Sequence, residues 1–189
     1  MVRDIKLISQ DLLVRRCQDR QPEALQELIR LWERRLLYYI RRLVEHESDA
    51  WDVLQQTWVQ VLRSIGRLRD SAALQPWLYA VARHVAASHY RPELLQRARV
   101  DAHADAADVP ADDWVPACDA ALDVHEALGL LSLKHREVLV LHFLESMNVL
   151  EIAVVIDAPA GTVKSRLYYA KRALRGLLER DLIERERVS

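Results

Sequence analysis

Between Asp157 and Glu179 the chain carries Lys164, Arg166, Lys171, Arg172 and Arg175 and no acidic residue. Its formal net charge over 189 residues is nevertheless only -1. Cations unaccompanied by acids are what a polyanion needs, and Thr162, Ser165 and Tyr168 add hydroxyls to the same stretch. The competing reading is an amphipathic helix whose charged face is merely solvated. Such helices usually mix signs to gain i,i+4 pairs, whereas this one excludes acids for about five turns.

Two helices around a tight turn must position these groups. Glu151–Ile156 makes a short first helix with Asn148 placed to cap it. Asp157-Ala158-Pro159-Ala160-Gly161 breaks the pattern, and Pro159 suits the first turn of a new helix. There Val163, Leu167, Ala170, Leu174 and Leu177 fall at i, i+4, i+7, i+11 and i+14, a narrow apolar stripe. A short helix, a turn and a second helix buried on one face and cationic on the other describe a helix-turn-helix for the major groove.

A second constellation lies upstream. Pro76 opens a helix in which Leu74, Leu78, Val81 and Val85 read as the inner stripe, leaving Tyr79, Arg83 and Tyr90 outside with Arg91 near the end. Rings interleaved with guanidinium groups suit single-stranded nucleic acid, where bases stack and the backbone is held. The alternative places these tyrosines at the core edge with wet hydroxyls. Before this helix runs a loop, Gly66–Gln75, with Arg67 and Arg69 at its basic end. The helix before the loop, from Asp49 to Gly66 and capped by Asp49, buries Leu54, Trp58, Val61 and Ile65. It presents Asp52, Gln55, Gln56, Val59 and Arg63, a face fit for a protein contact or for solvent.

The remaining chain supports an all-α class. Only four glycines occur and β-branched alternation is missing, while 51% hydrophobic residues supply packed cores. Ser9 can cap a first helix through Leu12, Leu13 and Cys17. Pro22 opens a second with Leu25, Ile29, Trp32, Leu36, Tyr39 or Ile40, and Leu43 in one stripe. Residues 1–91 carry an excess of about four positive charges. From Pro92 the composition turns acidic, with Asp101, Asp105, Asp108, Asp112 and Asp113 among alanines and prolines, Trp114 the one large apolar residue, and one helical piece at Glu93–Arg99. A further helix holds Leu122, His125 or Glu126, Leu128 and Leu131, and Ser132 caps another holding Leu133, Val140, Leu141 and Leu144. The sequence thus divides into two small helical domains, 1–91 and 119–189, joined by a flexible acidic linker, 92–118.

Enzyme chemistry finds no footing. There is no phosphate loop, HExxH or nucleophile motif. The seven histidines lack ligand spacing, so neither a metal nor another cofactor is expected. Cys17 and Cys118, far apart, read as a core thiol and a linker thiol of a reduced protein. No apolar run approaches ~18 residues and MVRDIKLISQ lacks a signal-peptide core, so a cytoplasmic protein without membrane insertion is expected.

Taken in order, the segments resemble the extracytoplasmic-function class of bacterial RNA polymerase sigma factors over nearly the whole chain. Asp49-Ala50-Trp51-Asp52-Val53-Leu54-Gln55-Gln56-Thr57-Trp58 is similar to the family's D-A-E-D-L-x-Q-E-T-F. Trp77-Leu78-Tyr79-Ala80-Val81-Ala82-Arg83-His84 is similar to W-L-x-x-I-A-R-N. Arg136–Leu139 and Glu151–Ala153 match R-E-V-L and E-I-A, and Gly161–Leu167 matches G-T-V-K-S-R-L without a change. Departures are Trp51 and Gln56 where the family carries acids, Asp157 where the turn often has glycine, and His84 for asparagine.

The resemblance implies a protein that joins core RNA polymerase and directs promoter recognition, melting and initiation. It places Asp49, Asp52, Gln55, Gln56 and Arg63 against the polymerase. Thr162, Lys164, Ser165, Arg166, Tyr168, Lys171, Arg172 and Arg175 would meet the duplex minus-thirty-five element. Arg67, Arg69, Trp77, Tyr79, Arg83, His84, Tyr90 and Arg91 would meet the melted minus-ten strand, the Gly66–Gln75 loop accepting an unstacked base. An anti-sigma partner is expected from resemblance only. The rival readings are a free-standing helix-turn-helix regulator and a sigma-like adaptor that binds polymerase without initiating. A regulator would usually dimerise on an inverted repeat and have no use for the Asp49–Trp58 and Trp77–His84 segments.

Overall fold

The computed structural model describes residues 2–44, 46–89 and 121–188, with side chains for 8–44, 46–89, 124 and 126–179. Tyr90, Arg91 and the 92–118 segment, including Glu93–Arg99, Trp114 and Cys118, lie outside them. Among the described residues all regular structure is helical, as the composition predicts, and it forms two compact units.

The first unit holds α1 (Val2–Gln18), α2 (Pro22–Leu43), α3 (Glu47–Ser64) and α4 (Leu74–His89). Pro22 opens α2 as its sequence predicts. The other starts differ from expectation. Helix α1 begins well before Ser9, and α3 begins at Glu47 behind His46 rather than at Asp49. Helix α4 begins at Leu74, so Pro76 sits inside its first turn, where a missing N–H breaks no intrahelical bond. Leu28, Leu36, Tyr39 and Ile40 of α2 meet Val53 and Val61 of α3 and Leu74, Leu78 and Tyr79 of α4 in one fully buried core. The expected α3 stripe of Leu54, Trp58, Val61 and Ile65 is buried throughout.

The segment expected as a plain loop contains two single 3-10 turns, Ile65–Arg67 and Ser71–Ala73. Helix α1 fastens it in place. The Gln18 amide donates to the carbonyls of Ile65 (3.2 Å) and Leu68 (2.8 Å), and Gln10 donates to the Ser71 carbonyl. Asp70 accepts from Ala72 N–H at 2.9 Å, closing the second turn. These bonds fix the segment while Arg67 and Arg69 stay exposed.

The second unit holds chiefly α5 (Ala121–Leu130), α6 (Leu133–Leu139), α7 (Val149–Ile156) and α8 (Ala160–Val188), with one π-helical turn at Val140–Leu144. Ser132 caps α6, accepting from His135 N–H. The Arg136 guanidinium donates to the carbonyls of Leu128 (2.9 Å), Gly129 (2.7 Å) and Leu131 (3.0 Å), satisfying groups that the end of α5 leaves open. Helix α8 packs against both α5 and α6, burying Val163, Leu167, Ala170 and Leu174.

Candidate nucleic-acid interface

The helix-turn-helix forms as its residues dictate. Asn148 Oδ1 accepts from Leu150 and Glu151 N–H at 2.9 and 3.0 Å, while Glu151 accepts from Asn148 N–H at 2.8 Å. This reciprocal capping box fixes the start of α7. Asp157 ends α7 with φ 51, the left-handed conformation that Asp tolerates better than most residues. Pro159 accepts from Val163 N–H at 3.1 Å and so precedes the first residue of α8 instead of occupying it.

The face α8 offers is narrower than the one its sequence predicts. Lys164, Arg172 and Arg175 are exposed, with Tyr169, and Thr162, Tyr168 and Lys171 are half-buried. Ser165 and Arg166 are corrections: they retain 1% and 8% of their surface. Ser165 donates to the Thr162 carbonyl at 3.1 Å, inside its own helix. Two helices pack on α8, so its buried arc is wider than the leucine stripe indicates, and a long arginine stem can lie within it. Arg172 stands over the Tyr168 ring at 5.7 Å, and Tyr168 meets Tyr169 edge to face at 5.3 Å, a continuous cationic and aromatic surface. Arg175 reaches Glu179 at 3.6 Å, where the acid-free stretch ends. Glu137 and Glu145 of this unit are buried.

In the first unit the main correction is Tyr79. It is fully buried, 5.0 Å from the Tyr39 ring and edge-on to Trp32 at 6.4 Å. The core face of α4 runs through Leu74, Leu78, Tyr79, Ala82, Val85 and Ala86, while Val81 is only half-buried. Tyr39 and Trp32 of α2 receive the ring on this face. Tyr79 therefore stacks on the core and not on a base. His84 is exposed, and Trp77 and Arg83 are partly so; with Arg67 and Arg69 they remain from the strand-contacting set. Tyr90 and Arg91 lie outside the described residues.

Along α3, Asp52, Gln55, Gln56 and Arg63 are exposed and Asp49 is half-buried. Sequence patterning places Val59 on this face and misses its other apolar members: Val59 keeps 42% of its surface, Trp51 51% and Leu62 44%. A signal for them exists, since Trp51 and Leu62 fall outside the buried stripe of α3.

Cys17 is buried, and that burial pushes its thiol up; Arg16 opposes the shift and Glu27 adds to it. A protonated buried thiol is a packing group. Among the described residues no helix is long and apolar enough to cross a membrane.

Comparison with known proteins assigns families to both units. Residues 28–93 match the Sigma-70 region 2 family and residues 121–174 match the Sigma-70, region 4 family. RNA polymerase sigma-H factor of Pseudomonas aeruginosa is 29% identical over 173 residues, covering 86% of this chain and 90% of that protein. ECF RNA polymerase sigma factor SigL of Mycobacterium tuberculosis is 32% identical over 145 residues, covering 75% and 81%. Among solved structures, CnrH bound to the cytosolic domain of CnrY superposes with a TM-score of 0.63 at 22% identity, over 90% of this chain and 97% of that one. The sigma factor RpoE of Bartonella quintana, bound to the anti-sigma factor NepR, gives 0.61 at 22% identity over 82% and 96%. Both likenesses are of fold.

Proposed function

Because this chain belongs to the extracytoplasmic-function class of RNA polymerase sigma factors, we propose an assignment of its surfaces to the partners of promoter-directed initiation. The domain limits proposed are 1–91 and 119–189 around a linker of 92–118. The α8 surface of Lys164, Tyr168, Lys171, Arg172 and Arg175, with Thr162 at its start, takes the minus-thirty-five duplex. Exposed cations there bind phosphates, and the residues nearest the helix start reach base edges. Arg67 and Arg69, on the segment that α1 fastens, together with Trp77, Arg83 and His84, take the melted minus-ten strand. The half-exposed Trp77 provides a ring for stacking. The α3 face of Asp49, Trp51, Asp52, Gln55 and Leu62 takes core polymerase.

The observation that carries this reading is the order of surfaces along one chain. A cationic recognition helix follows a separate unit with exposed arginines and an exposed apolar face. The chain itself performs no bond chemistry; polymerase does, in the cytoplasm. An anti-sigma partner is also proposed, since RpoE, of like fold, was solved with one.

Salt dependence tests the duplex surface. Lys164→Ala and Lys171→Ala should each lower the salt slope of promoter binding by about one counterion, because each leaves one phosphate no longer neutralised. Arg166→Ala should leave the slope alone and instead cost roughly 1–3 kcal/mol of stability, because its side chain is buried. A slope that falls for Arg166→Ala and stays fixed for both lysine variants would place the DNA on another face of α8.

A further inference from the structure

The surfaces proposed for DNA and polymerase lie on α3, α4, α8 and the segment between α3 and α4, and α1 carries none of them. Leu13, Val14 and Cys17 of α1 are buried, and the half-buried amides of Gln10 and Gln18 stand at the two ends of that apolar run. An amide held at the edge of a core needs a partner. Both of these reach across to the same segment, 65–73.

That segment has little of its own to hold it. Its two helical pieces are single 3-10 turns, and so short a run makes too few backbone bonds to persist alone. Ile65 and Leu68 are buried, while Gly66, Arg67, Arg69 and Asp70 are exposed. Two apolar side chains thus tether a backbone whose remaining residues face outward.

Gln18 fixes what those tethers leave open. Its Nε2 carries two protons, which go to the carbonyls of Ile65 at 3.2 Å and Leu68 at 2.8 Å. Arg67 lies between these two residues and Arg69 directly after them. Gln10 acts at the other end, donating to the Ser71 carbonyl, beside the turn that Asp70 closes. A segment held in this way needs no ordering when its ligand arrives. One whose competent shape is only partly populated binds more weakly by that fraction.

We infer that Gln18 is a positioning residue for promoter reading, with Gln10 in support: α1 sets the shape of 65–73 before the unpaired strand arrives. This rests on the sigma-factor reading and on the place of Arg67 and Arg69 within it. Neither glutamine contacts the strand; each acts through the backbone that carries the two arginines.

The test uses full-length chain bound to core polymerase and a single-stranded oligonucleotide that the parent selects from a random pool. Each nucleotide is made abasic in turn, and fluorescence anisotropy gives the affinity lost at each position. The profile is measured for the parent, Gln18→Met and Gln18→Glu. Neither variant has the amide donors, and Glu keeps the amide's shape. Thermal melts check the fold, and competition against labelled parent checks core affinity, which should be unchanged. The abasic penalty at the position held by 65–73 should fall about ten-fold in both variants, with the penalties elsewhere kept. A group that only stabilised the unit would lower the melting temperature and leave every ratio as it was. A full profile in both variants, or a uniform flattening of it, overturns the inference while the sigma reading stands. Loss of the fold in both would make Gln18 a structural group and overturn it as well. A parent with no abasic-sensitive position, or none of the expected affinity for core, removes the reading and the inference with it.

Discussion

Tyr79→Ala is expected to unfold the α1–α4 unit, not to blunt the capture of an unpaired base. The ring is fully buried between Tyr39 and Trp32. Its removal leaves a cavity that three packed helices cannot close, a loss of about 3–5 kcal/mol. That is a large share of the ~5–15 kcal/mol by which a domain is stable. A melting curve should show the first unit's transition falling sharply or vanishing. The unit carrying α5–α8 should keep its own transition and its duplex affinity. If Tyr79→Ala melts like the parent while promoter opening fails, the ring faces the DNA and the packing described for α4 is wrong.

The second large effect is expected at the exposed edge of α3. Trp51→Glu combined with Leu62→Glu places two charges in the apolar surface proposed for core polymerase. Buried aromatic anchors commonly contribute 2 kcal/mol or more at interfaces, so affinity for core should fall by at least about 30-fold. Folding should persist, because both side chains keep about half of their surface exposed in the free chain and lie outside the buried stripe of α3. Competition for core against labelled parent reads the first effect and a thermal melt the second. Equal competition by the double variant would remove this edge from the interface.

The features legible in the sequence are those encoded by short-range chemistry. Asn148 and Glu151 stand three residues apart, and that spacing suffices for a capping box. Leu54, Trp58, Val61 and Ile65 recur at helical intervals, and all are buried. The acid-free stretch after Asp157 marks a cationic helix, and Lys164, Arg172 and Arg175 of that helix are exposed.

What is not legible depends on partners distant in the chain. On α4, Leu78 and Tyr79 are adjacent and each can head a stripe. Only Tyr39 and Trp32 on another helix decide that Tyr79 turns inward. Arg166 reads as a surface cation because charge ordinarily means exposure. The packing of α8 against two helices, and not one, sets its place. The order within Gly66–Gln75 comes from side chains of α1, with Gln18 lying 47 and 50 residues before the carbonyls it binds. No local pattern reports such a bond. Trp51 and Leu62 carry a weak signal in falling outside the buried stripe, and a single exposed apolar residue is too common to interpret alone.

The central claim is that this chain confers promoter-specific initiation on core polymerase through two DNA-reading units. Run-off transcription with purified core polymerase on a promoter-bearing template, with and without the chain, tests it most directly. A discrete transcript is expected only when the chain is present, lost with Trp51→Glu, Leu62→Glu and reduced with Lys164→Ala, Lys171→Ala. A chain that binds the promoter duplex equally well with and without core, yet yields no transcript with it, would contradict the claim and identify a free-standing DNA-binding regulator instead.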